Sequence, residues 1–233
     1  MTKEFLSKRG ISFEPMDTEN DPKAREALAA LGYRAVPVVQ VGDKSMAGWN
    51  PTRLAALLGV VNFQEKASPA AEMIRSLEII LDGALRAVRQ VPDDRLMMRS
   101  PDRDRPLRQL AHHVFNIVET AVDADVLGRF EPGMLMLGDV SAQTSAERIA
   151  RYGEAVLAKF TSWYREVDQA AFDRDIETND GPRRLGLVFE RTRSHSAQHL
   201  RQIYEFLRWC EIEPDRPLTK DDLKGVDLPD SVW

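Results

Sequence analysis

Residues 184–211, RLGLVFERTRSHSAQHLRQIYEFLRWCE, decide how this chain is read. His195 and His199 fall on one helical stripe with Val188, Thr192, Ile203 and Phe206, while Glu190, Arg193, Arg201, Glu205 and Arg208 take the opposite, wet side. Four residues advance a helix by about 400°, so the two imidazoles sit one turn apart, with rings ~6 Å apart along the axis. Both are expected to point into a packed interior, where two such rings can grip one ion.

Working outward, three more stretches carry apolar residues at helical spacing: about 69–91, 105–130 and 144–167, separated by segments rich in Pro, Gly and Asp. With 184–211 they predict an all-α four-helix bundle over 69–233. The segment after Glu213 holds three prolines and reads as an extended tail laid on the bundle and anchored by Val232 and Trp233. The remaining two histidines, His112 and His113, fall in the second helix, whose apolar stripe runs through Leu107, Leu110, Val114, Ile117 and Ala121. His113 is placed inward by that stripe, whereas His112 groups with Arg108, Asn116 and Glu119 on the polar side. His113 is therefore the expected third ligand, with His112 as the alternative. Three neutral imidazoles leave coordination positions open for a water or an anionic sulfur, and a closed structural site would want a fourth ligand. The same spacing also describes packed histidines bonded to neighbouring carbonyls or carboxylates.

Residues 1–60 alternate short helical and β-rich patterns, which predicts a small α/β unit, with 61–68 as a linker of mixed polar residues. The expected order is helix, strand (Ile11 to Glu14), helix (Pro22 to Leu31), strand (Val36 to Val41), a turn at Gly42-Asp43, strand (Lys44 to Ala47) and helix (Pro51 to Leu58). Proline suits a first helical turn, Asn50 a cap and Gly32 a stop.

The chain has 233 residues, 43% of them hydrophobic, enough for two cores. A net charge of -5 with interspersed signs offers no basic stripe, so nucleic acid is not an expected partner. No apolar run reaches the ~18 residues of a membrane span, and the first residues lack a secretory core, so a soluble, cytoplasmic protein is expected. One cysteine, Cys210, makes no internal disulfide and no two-cysteine redox motif. Cys210, Trp163, Tyr164, Phe206 and Trp209 read as packing residues, and Asp123 and Asp125 as solvated. Arg191 and Arg193 flank the histidine pair and would either hold a substrate carboxylate or lie on an exposed face.

The runs Leu107-Arg108-Gln109-Leu110-Ala111-His112-His113-Val114 and His195-Ser196-Ala197-Gln198-His199-Leu200-Arg201-Gln202 resemble the DinB-like metal-binding four-helix bundle family, and the segment Pro217 to Trp233 is similar to the tails of that family. The resemblance implies a divalent metal, zinc or nickel first and iron or manganese next, held by His113, His195 and His199. It also implies activation of a low-molecular-weight thiol such as glutathione, mycothiol or bacillithiol for transfer or isomerisation. The first sixty residues resemble the latter part of a glutaredoxin, a partial thioredoxin-like fold. Thr2-Lys3-Glu4-Phe5-Leu6 matches the helix after the redox motif, Ala35-Val36-Pro37 the cis-proline segment, and Gly48-Trp49-Asn50-Pro51 the turn near the glutathione site. The first strand and the two-cysteine motif of glutaredoxins are not among these residues. Either the start lies further upstream, or the domain is a degenerate one kept for binding, in which Val36, Pro37, Gly48 and Trp49 would receive a thiol peptide.

The leading expectation is thus a metal-dependent thiol transferase or isomerase acting on a small-molecule thiol and an electrophile. A non-catalytic metal- or ligand-binding scaffold is the alternative, and a metal-assisted hydrolase a third. A homodimer is compatible with all three.

Overall fold

A computed structural model describes residues 2–18, 20–34, 36–99, 105–130, 132–136, 140, 143–178, 181–229 and 231–232. The chain divides into two compact units, Met1–Lys66 and Ala67–Trp233.

In the first unit α1 (Thr2–Ser7), α2 (Pro22–Ala30), β1 (Val38–Val41), β2 (Lys44–Ala47) and α3 (Pro51–Leu57) follow one another. The two strands form an antiparallel hairpin with Val38 opposite Ala47 and Val41 opposite Lys44. Both longer helices start as proline geometry favours. The Asp21 side chain accepts from the amide of Lys23 ahead of Pro22, and that of Asn50 accepts from the amide of Arg53 ahead of Pro51. A small core of Phe5, Met46, Leu54 and Ala55 is flanked by Val39, Trp49 and Phe63. The expected strand at Ile11 to Glu14 does not form: residues 11–14 are irregular, and 12–14 are exposed. A strand needs a neighbour for its backbone groups, and among the described residues the sheet of this unit is the β1–β2 pair alone. Ala35, the start of the expected cis-proline segment, lies outside the described residues, but the Val36–Pro37 bond is described and is cis.

The second unit is built on α4 (Ala70–Arg89), α5 (Leu107–Leu127), α6 (Ala146–Glu166) and α7 (Leu185–Trp209). Helices α4 and α5 each pack on both α6 and α7, and one continuous core contains Leu77, Leu81, Phe115, Val118, Phe160, Phe189, Ile203 and Phe206. Two of the helix ends have a clear local cause. Ser145 caps α6 by accepting from the amide of Arg148, and Gly128 closes α5 in the left-handed region at φ 68°. The helical periodicity gave no sign of a small sheet here. In it, β3 (Arg129–Phe130) pairs in parallel with β4 (Asp175–Thr178), which pairs antiparallel with β5 (Arg183–Arg184) just before α7.

Residues 217–229 lie on the helices: Leu218, Leu223, Val226 and Leu228 pack against the core, and the amide of Leu218 donates to the Tyr204 hydroxyl at 3.2 Å. Of the two expected anchors, Val232 is half-buried, and Trp233, like Asp230, lies outside the described residues.

Arg193 departs most from expectation. Read as wet, it is 0% exposed. One of its guanidinium nitrogens pairs with Glu190 and donates to Ser68 Oγ at 3.0 Å and to the Gly225 carbonyl at 2.7 Å. The carboxylate and the two added acceptors at this one nitrogen offset part of the desolvation, while Nε and Nη1 are buried without a hydrogen-bond partner; helical periodicity carries none of this information.

At Gly153, α6 comes close to its neighbours: an added Cβ would meet two atoms of the Phe115 ring at 2.6 Å and Leu85 at 2.9 Å. Gly153→Ala gains about 1 kcal/mol of helix propensity but forces a fully buried ring to move, a cost of about 1–3 kcal/mol. Urea unfolding of Gly153→Ala should show a lower midpoint than the native chain at an unchanged slope.

Candidate metal centre

The α5–α7 interface brings His113, His195 and His199 together. Ring centroids lie 5.3 Å apart for His113 and His195, 5.2 Å for His113 and His199, and 4.5 Å for His195 and His199. Each offers a ring nitrogen, and these atoms all lie within 4.8 Å of one another. Two nitrogens bound at about 2.1 Å to one ion are at most about 4.2 Å apart, so small ring rotations separate this cluster from a coordination set. His199 is 5% exposed, and His113 and His195 are half-buried.

Burial governs the protonation of the cluster. Desolvation lowers the His113 pKa to about 4, helped by the positive charge of Arg105 and by His112, while a hydrogen bond with Asn116 opposes the shift. His199 is held well below its ordinary value by desolvation, then by His195, Arg105 and His113, with Gln202 opposing. Neutral imidazole is the form that ligates a metal. His199 Nδ1 lies 2.7 Å from the Gln202 side-chain oxygen, whereas His199 Nε2 is buried with no hydrogen-bond partner. A buried lone pair facing two other imidazoles is what a cation would satisfy, so the residues present fit a divalent metal.

His112 does not join the cluster. Expected on the polar side, it is instead 7% exposed and stacks on Tyr152 of α6 with ring centroids 4.3 Å apart. Desolvation lowers its pKa, with the charge of Glu119 opposing. Tyr152 donates to Glu119 at 2.6 Å, and Lys159 donates to Glu119 at 3.1 Å and pairs with Asp123 at 2.7 Å. Burial, then Glu119, raises the Tyr152 pKa. Against the desolvation that would raise it, hydrogen bonds from Tyr152 and Lys159 hold Glu119 below the usual carboxylate range. Asp125, read as solvated, accepts from the Trp163 indole at 2.9 Å and pairs with Arg174.

The arginine whose charge is felt at His113 and His199 is Arg105, not Arg193, which is committed to Glu190 and Ser68. Arg191 is exposed. Cys210 caps the end of α7, half-buried, with its sulfur 3.5 Å from that of Met98. Sequence reasoning missed Gln202, although a carboxamide three residues after a histidine shares its helical face and was a readable signal.

A family model described as the DinB superfamily matches residues 76–203, which contain all four histidines and most of the four long helices. The chain belongs to the DinB superfamily. A second model, Glutaredoxin, matches residues 1–46. The glutaredoxin-like protein NrdH of Escherichia coli K12 is 41% identical over 56 residues, covering 24% of this chain and 69% of that protein. The NrdH of Lactococcus lactis subsp. lactis is 33% identical over 57 residues, covering 24% of this chain and 79% of that protein. The DinB chain thus carries a glutaredoxin-like first unit. There the Gly48 amide donates to the Pro37 carbonyl at 2.8 Å, joining two of the four expected thiol-contact residues. Val36 is 61% exposed, and Trp49 is half-buried with its ring edge-on to Phe5 at 5.8 Å. No helix among the described residues is long and apolar enough to cross a membrane.

Folded-state histidine pKa values below the unfolded value mean that the unfolded chain binds more protons between pH 4 and about 6.5, so stability falls as pH falls through that window. In metal-stripped protein, the urea midpoint should drop between pH 7.5 and 5.5, with His113 contributing an amount equivalent to roughly 1 kcal/mol. His199→Gln should flatten that dependence.

Proposed function

We propose that this DinB protein is a divalent-metal-dependent thiol transferase or isomerase, using zinc or nickel and a glutathione-type cosubstrate. The reading rests on the open three-imidazole set: among the described residues no Asp, Glu or Cys joins His113, His195 and His199. A divalent cation held there would favour the thiolate of a substrate whose thiol pKa in water is near ~8.5, making it nucleophilic at neutral pH.

The chain's own groups have separable tasks. The three imidazoles supply neutral donors, and burial of His199 keeps water from competing for its nitrogen. Arg105 places positive charge near the same rings and favours a thiol that carries carboxylates. In the first unit, Val36, Pro37, Gly48 and Trp49 are proposed by themselves as a surface for a thiol peptide. Hydrolysis by an activated water is less well supported, since it needs a carboxylate free to act as base. The acidic side chains Glu119, Asp123 and Asp125 of α5 are engaged by Tyr152, Lys159, Trp163 and Arg174.

Elemental analysis of the purified chain should find about one divalent metal per molecule, and almost none in His195→Ala or His199→Ala. Calorimetry of the metal-loaded protein should then detect glutathione binding that is lost in the same variants. One metal with no thiol binding leaves a metal-stabilised scaffold and removes the transferase reading.

A further inference from the structure

We infer that Gln202 is a positioning residue of the metal centre, and that the backbone carbonyl of Val232 dictates which way its amide points; the inference rests on the metal-site reading above. The Gln202 side-chain nitrogen donates to the Val232 carbonyl at 3.0 Å, and its side-chain oxygen lies 2.7 Å from His199 Nδ1. A carbonyl oxygen only accepts, so the end of the amide facing Val232 is the NH2 group and the end facing His199 is the oxygen. That oxygen also only accepts. His199 therefore carries its proton on Nδ1, and the neutral ring keeps its lone pair on Nε2, the buried atom left without a partner among the histidine cluster.

The acceptor that sets this sequence of roles is itself fixed. Gln198 donates to the same Val232 carbonyl at 2.6 Å and to the Ser231 carbonyl at 3.2 Å, and Arg201 donates to the Pro229 carbonyl at 2.6 Å. Side chains on one face of α7 thus bind backbone carbonyls between Pro229 and Val232, thirty residues further along the chain from Gln202. The carbonyls of Pro229, Ser231 and Val232 are in this way tied to the helix face that carries His199. With the amide turned the other way, its NH2 group would face His199, the proton would move to Nε2, and the nitrogen aimed at the cluster would no longer be a donor to a cation.

Full-length protein with Gln202→Met keeps the side-chain length but loses both hydrogen bonds, whereas Gln202→Glu keeps an acceptor toward His199. The ring tautomer of His199 is read by nitrogen-15 NMR of the metal-stripped protein above pH 7, and zinc affinity by competition with a chelator. The native chain and Gln202→Glu should show the Nδ1–H form. Gln202→Met should mix the two tautomers and bind zinc about 10–100-fold more weakly, with Gln202→Glu within a few-fold of native. Retention of a pure Nδ1–H ring and native zinc affinity in Gln202→Met overturns the assignment, as does an Nε2–H ring in the native chain or in Gln202→Glu. If Gln202→Met does not fold, the ring form in the other two proteins decides. A native chain that takes up no zinc defeats the metal reading alone, because the tautomers of the stripped protein still judge Gln202.

Discussion

His113 and His199 share one small volume with His195 inside a helical core, and burial disfavours a proton on either of them. At the α5–α7 interface, desolvation disfavours the protonated form of His113 and His199, and each positive ring would also repel its neighbours and Arg105. The packing that builds the core therefore also prepares the donor state of the site. A carboxamide stands three residues after each of two of the clustered histidines, Asn116 after His113 and Gln202 after His199, so ring and amide share a helical face.

Helix α5 carries polar groups toward two neighbours. Toward α7 it presents His113. Toward α6 it presents His112, against Tyr152, with Glu119 and Lys159 completing a hydrogen-bonded set. Consecutive residues diverge by about 100° on a helix, which is how adjacent histidines reach different interfaces. The helix face separates His113, which lies beside His195 and His199, from His112, but the face assigned to His112 is not wet. It is a second interface, closed by α6.

Legibility followed the range of the physics involved. The long helices were readable because their apolar stripes are local, and Asn50, Pro22 and Pro51 marked helix starts through contacts within a few residues. The strand at Ile11 to Glu14 was misread because a strand is completed by a partner, which local β-propensity does not reveal. Arg193 was misread because its acceptors, Ser68 and Gly225, lie 125 and 32 residues away. Gln202 was overlooked because its role depends on a carbonyl whose position only the folded segment defines. In the first unit the short alternating patterns already placed the helices from Pro22 and Pro51 and the β1–β2 hairpin, and the resemblance added the kind of domain they build.

Arg193 also bears on the order of assembly. Its guanidinium joins the residue just ahead of α4, its own helix and a carbonyl beyond the last helix. During synthesis, α4 to α6 would emerge and collapse before any of these contacts exists, and the buried charge would gain the Gly225 carbonyl as an acceptor only once that residue had been made. Closing such distant points has an entropic cost that grows slowly with separation and is repaid at the last step. Completion of the helical unit is thus tied to synthesis of the segment that follows α7. A ribosome halted before Gly225 would hold a nascent domain whose central cation lacks one of its acceptors, the kind of unfinished surface that folding helpers recognise.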